Sequence, residues 1–95
     1  PSQIVDVHPY DKDAEEARTL IRVSTMEGRY RPMVLEWNRP IEEMIGFQQM
    51  LEQETIGSAW FCWDDRMVTD MGLIDADGAR RPHFWALKAA LQDVA

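Results

Sequence analysis

Ninety-five residues make one small domain, and an apolar fraction of 45% with four Trp and six Met supports only a thin core. Seventeen acidic against ten basic side chains leave a formal charge of −7, which argues against nucleic acid or an anionic membrane surface as partner, since both call for a basic face. A single cysteine excludes an internal disulfide and a zinc site of the usual kind, no metal or other cofactor is expected, and no run approaches the ~20 apolar residues of a membrane span.

The chain opens on Pro1-Ser-Gln and enters an apolar run at once, which reads as a piece of a longer protein or a subunit that starts mid-fold. Ile4-Val5-Asp6-Val7-His8 is a short strand, followed by a Pro9-Tyr10-Asp11 loop. Asp13 with Glu16 three residues on forms a capping-box pattern. The helix that follows carries Ala14, Ala17, Leu20, Ile21 and Ser24 on one face and stops near Glu27-Gly28. A second strand runs from Met33 to Trp37, and Pro40 opens a second helix that reaches Glu54. Ile41, Met44, Ile45, Gln48 and Leu51 form its predicted buried stripe.

A third strand, Ser58 to Trp63, breaks into Asp64-Asp65-Arg66, and a long loop from Met67 to Arg81 holds the Asp77-Gly78 turn. Pro82 then opens a last helix with Phe84, Leu87, Lys88 and Leu91 on one side, Phe84 and Trp85 being expected to pack against the sheet and His83 to sit exposed. Three strand–helix units with apolar strands and amphipathic helices predict an α/β fold, a parallel β-α-β-α-β-α arc. Such an arc belongs to a small open three-layer domain or to a (β/α)₈ (TIM) barrel, and the length excludes a whole barrel of ~250 residues.

In a parallel sheet the carboxyl ends of the strands share one rim, ~5 Å apart per strand, and ligands bind there in α/β folds. The expected rim carries His8 with Tyr10, Glu36 with Asn38, and Trp63 with Asp64 and Asp65. A carboxylate beside a phenol, an imidazole and an indole suits glycoside cleavage, in which the carboxylate attacks an oxocarbenium-like centre and the indole stacks on the sugar ring. Plainer roles stand beside these: Glu36 as a cap for the following helix, His8 as a turn residue, Tyr10 as loop packing, and Asp64-Asp65 as partners of Arg66. Trp60 and Trp63 point to opposite sides of a strand, with Trp60 read as core. The acidic run Asp11 to Glu16 reads as a solvated helix start rather than a metal site.

The chain resembles the retaining glycoside hydrolases of the large (β/α)₈-barrel clan that includes cellulase-like and mannanase-like enzymes. His8-Pro-Tyr10 is similar to the His-x-Tyr at the end of strand six, Met33-Val-Leu-Glu36 to the strand-seven segment with the nucleophile, and Ala59-Trp-Phe-Cys-Trp63 to strand eight. Gly72 to Gly78 and Arg81 to Leu87 resemble the closing stretch of such enzymes. The order of these motifs and the 26-residue step from Tyr10 to Glu36 carry the resemblance more than any one of them. It implies that residues 1–95 are the last three β/α units of a catalytic barrel. It also implies Glu36 as nucleophile, Tyr10 as its hydrogen-bond partner, His8 as a sugar or supporting contact, and Trp63 as stacking platform. Asn38, Asp64 and Asp65, from their place at the strand ends, are expected to contact the substrate as well.

The clan's general acid/base follows an Asn on strand four, and no Asn-Glu pair occurs in this chain. The expected activity is therefore retaining hydrolysis of a glycoside, with the acid/base supplied by strands beyond this segment, which should be inactive alone. The rival reading is a non-catalytic carbohydrate-binding or assembly module. In either case the uncovered sheet edges call for the remaining barrel strands or for self-association.

Overall fold

The computed structural model describes residues 3–92, so Pro1 and Ser2, on which the abrupt start was read, lie outside it. Strands β1 (Ile4–Asp6), β2 (Arg31–Trp37) and β3 (Ser58–Trp60) alternate with helices α1 (Ala14–Ser24), α2 (Met44–Glu54) and α3 (Pro82–Gln92). The strands lie in the order β1-β2-β3, and both pairs are parallel. This is the α/β arc that the alternation of patterns predicts.

Helix α1 begins where the capping box places it. Asp13 Oδ1 accepts the Glu16 amide at 2.8 Å, and Glu16 Oε1 accepts the Asp13 amide at 3.3 Å, so two orphan donors are met reciprocally. Its buried residues, Ala17 and Ile21, are four apart and face the sheet's core. On the outer side Arg18 and Arg22 both reach Glu54 Oε1, at 3.1 and 2.6 Å, and tie α1 to the end of α2.

Helix α2 differs from its predicted stripe. A 3₁₀ turn, Ile41–Glu43, precedes it, and three residues per turn advance the side chains by more than an α-helix does. Met44, Phe47, Gln48, Met50 and Leu51 become the buried set, while Ile41 and Ile45 stay exposed. Helix α3 departs too: Ala90 is buried and Leu87 packs on the core, but Trp85 is half exposed. Its ring stands edge-on to Phe84 and lies under the cations of Arg80 and Lys88 instead of on the sheet.

Strand β2 is irregular where it matters most. Val34 pairs with Ser58 and Trp37 with Trp60, so two residues of β2, Leu35 and Glu36, oppose the single residue Ala59. Val34 and Trp37 consequently both enter the core, at 0% and 1% exposure. There the Trp37 ring stacks on Phe47 at 5.1 Å and meets Trp60 edge-on at 4.9 Å, which gives Trp60 its core position. Among the described residues no helix covers the opposite side of the sheet, and Ile4 and Leu35 remain 46% and 45% exposed.

The third strand is shorter than Ser58 to Trp63. Phe61 still donates its amide to Trp37 at 2.9 Å, but the backbone of Cys62 and Trp63 turns to pair with Met71, Leu73 and Ile74. Trp37 anchors the core between β2, α2 and β3, so in the whole protein that contains this segment Trp37→Ala is expected to cost about 3–5 kcal/mol of stability, read as a lowered urea midpoint.

Candidate active site

Parallel pairing of β1 with β2 brings the chain after Asp6 alongside the chain after Met33. The Tyr10 hydroxyl donates to Glu36 Oε2 at 2.9 Å. His8 Nδ1 lies 3.7 Å from the same oxygen, and His8 Nε2 lies 2.8 Å from Asp6 Oδ2. The other Asp6 oxygen, Oδ1, accepts the Leu35 amide at 3.0 Å. A continuous set of polar contacts thus runs from Asp6 through His8 and Glu36 to Tyr10. The Glu36 side chain is 40% exposed and its second oxygen accepts no hydrogen bond among the described residues.

Burial, reinforced by the hydrogen bond to and the charge of Glu36, pushes the Tyr10 phenol up to about 12. Tyr10 is therefore a proton donor to the carboxylate throughout the neutral range. Burial would raise Asp6, but the Leu35 amide and His8 outweigh it and hold this carboxyl below its usual value. Glu36 caps neither following helical segment, since neither the 3₁₀ turn nor α2 has a side-chain cap. The loop-packing role for Tyr10 likewise gives way to its bond with Glu36.

Other candidates are placed differently. Asn38 Nδ2 donates to the Phe61 carbonyl at 2.6 Å and to the Met71 carbonyl at 3.1 Å, which fastens the end of β2 to the loop after β3. Asp64 pairs with Arg66 through both carboxylate oxygens, and Arg66 holds its carboxyl below the usual value. Asp65 Oδ1 accepts the Gly72 amide at 2.8 Å and faces Arg81 Nη1 at 3.4 Å. Gly72 is required in this brace, because a Cβ there would stand 2.5 Å from the Asp64 carbonyl carbon. Asp64 and Asp65 thus shape the loop that follows β3. Trp63 is 58% exposed, and its ring centroid lies 6.3 Å from that of Phe84 in an edge-on arrangement.

Asp6 and His83 escaped the sequence reading as site residues. Asp6 lies two residues before His8, a spacing that an extended Ile4–His8 run would place on one side, and the side chains meet at 2.8 Å just past the end of β1. His83 has no such signal, and the structure half-buries it at the start of α3. Among the described residues no three His, Cys, Asp or Glu side chains converge as metal ligands do.

No protein-family model matches the sequence, and no curated protein matches it. Among solved structures, the chain is similar to GH5_18 from Streptomyces cattleya in complex with GlcNAc, with a TM-score of 0.58 and 20% identity. The likeness covers 83% of this chain and 24% of that one, so the chain has the fold of part of a GH5 TIM barrel and spans about a quarter of its length.

The raised Tyr10 pKa has a definite consequence for stability. Its folded value lies above the unfolded one, so the contribution is whole below pH ~10 and is lost as pH rises towards 12. Spectrophotometric titration should show a late tyrosinate step near pH 12 that Tyr10→Phe removes and that moves to lower pH in Glu36→Gln. A late step that Glu36→Gln leaves in place would separate the phenol from the carboxylate.

Proposed function

We propose that this chain carries the nucleophile half of a retaining glycoside hydrolase active site. The observation that supports it best is the Tyr10 hydroxyl on Glu36 Oε2 at 2.9 Å, beside His8, at the carboxyl ends of adjacent parallel strands. The partial GH5 barrel fold supports it further, and the GlcNAc bound in that protein makes a saccharide the natural substrate class.

In this reading a Glu36 oxygen bonds to the anomeric carbon as the glycosidic C–O bond breaks, while a carboxylic acid from strands beyond this chain protonates the leaving oxygen. Water, deprotonated by the same acid/base, then displaces Glu36 and restores the carboxylate. Tyr10 holds Glu36 in line, and His8, set by Asp6, faces the same oxygen. Trp63 offers a largely exposed indole to the sugar ring.

In the protein that contains this segment, Glu36→Gln should lower kcat by more than about a thousandfold. Mass spectrometry of enzyme trapped with a slowly released substrate should place the glycosyl group on the peptide bearing Glu36. Undiminished hydrolysis by Glu36→Gln would end the assignment. Sugar binding without turnover in the unaltered protein would favour the carbohydrate-binding module instead, a reading that the lack of an Asn-Glu pair in the chain supports.

The helix-free face, with Ile4 and Leu35 exposed, is in the same reading covered by the remaining barrel strands or by another copy of the chain. Residues 1–95 alone should therefore sediment as associated species or bind the complementary strands. A monodisperse monomer with a cooperative melt is the contrary result.

A further inference from the structure

Asp6 touches neither Glu36 nor Tyr10, yet both of its carboxylate oxygens are engaged. The β1–β2 register ends at Asp6 and Met33, where Val7 donates its amide to the Met33 carbonyl at 2.8 Å. The next β2 amide on that side belongs to Leu35. Asp6 Oδ1 accepts it at 3.0 Å, in the place of a strand carbonyl. Leu35 directly precedes Glu36, within the stretch where two residues of β2 oppose one of β3. The other oxygen, Oδ2, meets His8 Nε2 at 2.8 Å.

The hydrogen positions follow from these partners. Burial would raise the Asp6 carboxyl, but the Leu35 amide and His8 outweigh it and hold it below its usual value. In the neutral range it is therefore ionised and can only accept. A contact of 2.8 Å to such a group requires a hydrogen on His8 Nε2. A neutral imidazole has one hydrogen, so its Nδ1 then carries a lone pair.

Nδ1 is the nitrogen that faces Glu36 Oε2, at 3.7 Å. That separation exceeds a hydrogen bond, as expected where a lone pair meets a carboxylate oxygen. Oε2 keeps Tyr10, at 2.9 Å, as its donor. The direction matters, because every donor to a carboxylate favours its charged form and makes it less ready to bond elsewhere.

We propose that Asp6 is a positioning residue for Glu36 that works by two routes: it seats the backbone at Leu35, and it fixes the His8 ring hydrogen on Nε2, away from the Glu36 carboxylate. That Glu36 is a nucleophile rests on the glycosidase reading above; the ring hydrogen and the Leu35 contact do not. An asparagine side chain has one acceptor oxygen and cannot serve both routes. The Leu35 amide, a fixed donor, would claim that oxygen and turn the NH2 group towards His8 Nε2. Nε2 must then accept, the ring hydrogen moves to Nδ1, and it comes to face Glu36.

The test uses the whole protein that contains this segment. Nitrogen NMR of the His8 ring is recorded at alkaline pH, once the ring holds a single hydrogen. That hydrogen should lie on Nε2 in the unaltered protein and on Nδ1 in Asp6→Asn. Hydrolysis is followed with 4-nitrophenyl β-glucoside, β-mannoside and N-acetyl-β-glucosaminide. Asp6→Asn should lower kcat about tenfold with KM little changed, and the loss should vanish when His8→Ala is already present. Asp6→Ala also leaves the Leu35 amide unmet, so it should lower kcat even in the His8→Ala protein.

A ring hydrogen on Nδ1 in the unaltered protein overturns the proposal, as does one that Asp6→Asn leaves on Nε2. So does an Asp6→Asn loss that His8→Ala does not diminish. The two readings fail separately. Full hydrolysis by Glu36→Gln, or no hydrolysis of any of the three glycosides, counts against Glu36 as nucleophile while the ring spectra still decide the hold of Asp6 on His8. Lost turnover in Glu36→Gln with an unmoved ring hydrogen in Asp6→Asn ends only the role of Asp6.

Discussion

The irregularity of β2 between Val34 and Trp37 determines where every other group of the site stands. Regular alternation would send Val34 and Glu36 to the helix side and Leu35 and Trp37 to the open side. A carboxylate would then lie under α2 without a partner, at a large desolvation cost. The extra residue opposite Ala59 reverses this, so Trp37 reaches Phe47 and Trp60 while Glu36 turns out to the rim. Burial of one large indole and exposure of one carboxylate favour the same backbone choice. Asp6 completes it by accepting the Leu35 amide with its side chain.

That same Asp6 also links the bulge to the chemistry of the rim, because its other oxygen meets His8. The imidazole stands between two carboxylates, and Tyr10 donates to the second of them. On the β3 side the polar residues are used otherwise. Asn38 Nδ2, the Trp60 indole N–H and the Cys62 amide all point at the Met71 carbonyl, and Asp65 grips Gly72 and Arg81. These bonds fold the long connection over the carboxyl end of the sheet. Asn38 and Met71 line a cavity of about 470 Å³ beside Tyr10, and Trp63 stays largely exposed.

Much of this was legible in the residues. Apolar strands alternating with amphipathic helices suffice for a parallel arc, and Asp13 with Glu16 fixes the start of α1 by local chemistry alone. The bulge was not legible, because Val34-Leu35-Glu36-Trp37 fits a regular strand equally well, and only the registry with β3 reveals the extra residue. Of the α2 stripe, Met44, Gln48 and Leu51 are buried as expected, whereas Ile41, in a 3₁₀ turn, and Ile45 stay exposed and the buried face extends to Phe47 and Met50 instead. Trp85 was misplaced because size alone suggested a core, whereas Arg80 and Lys88 satisfy its ring at the surface. His83 depends on a fold-back of the loop from Cys62 to Arg81, which no local pattern encodes.

The side of the sheet that presents Glu36 is also the side without helices. Ile4 and Leu35 lie exposed there, and among the described residues no further strand pairs with the outer edges of β1 and β3. Further parallel strands added to those edges would cover the apolar positions and bring their own carboxyl ends to the same rim. The second carboxyl group of a retaining site must lie ~5–5.5 Å from the first. Asp6 is a poor candidate for it, being tied to His8 and to the Leu35 amide and held in its charged form. On the proposed reading, closing the sheet and completing the catalytic pair are therefore one structural event, and the groups that mature Glu36 arrive with the strands that bury Leu35.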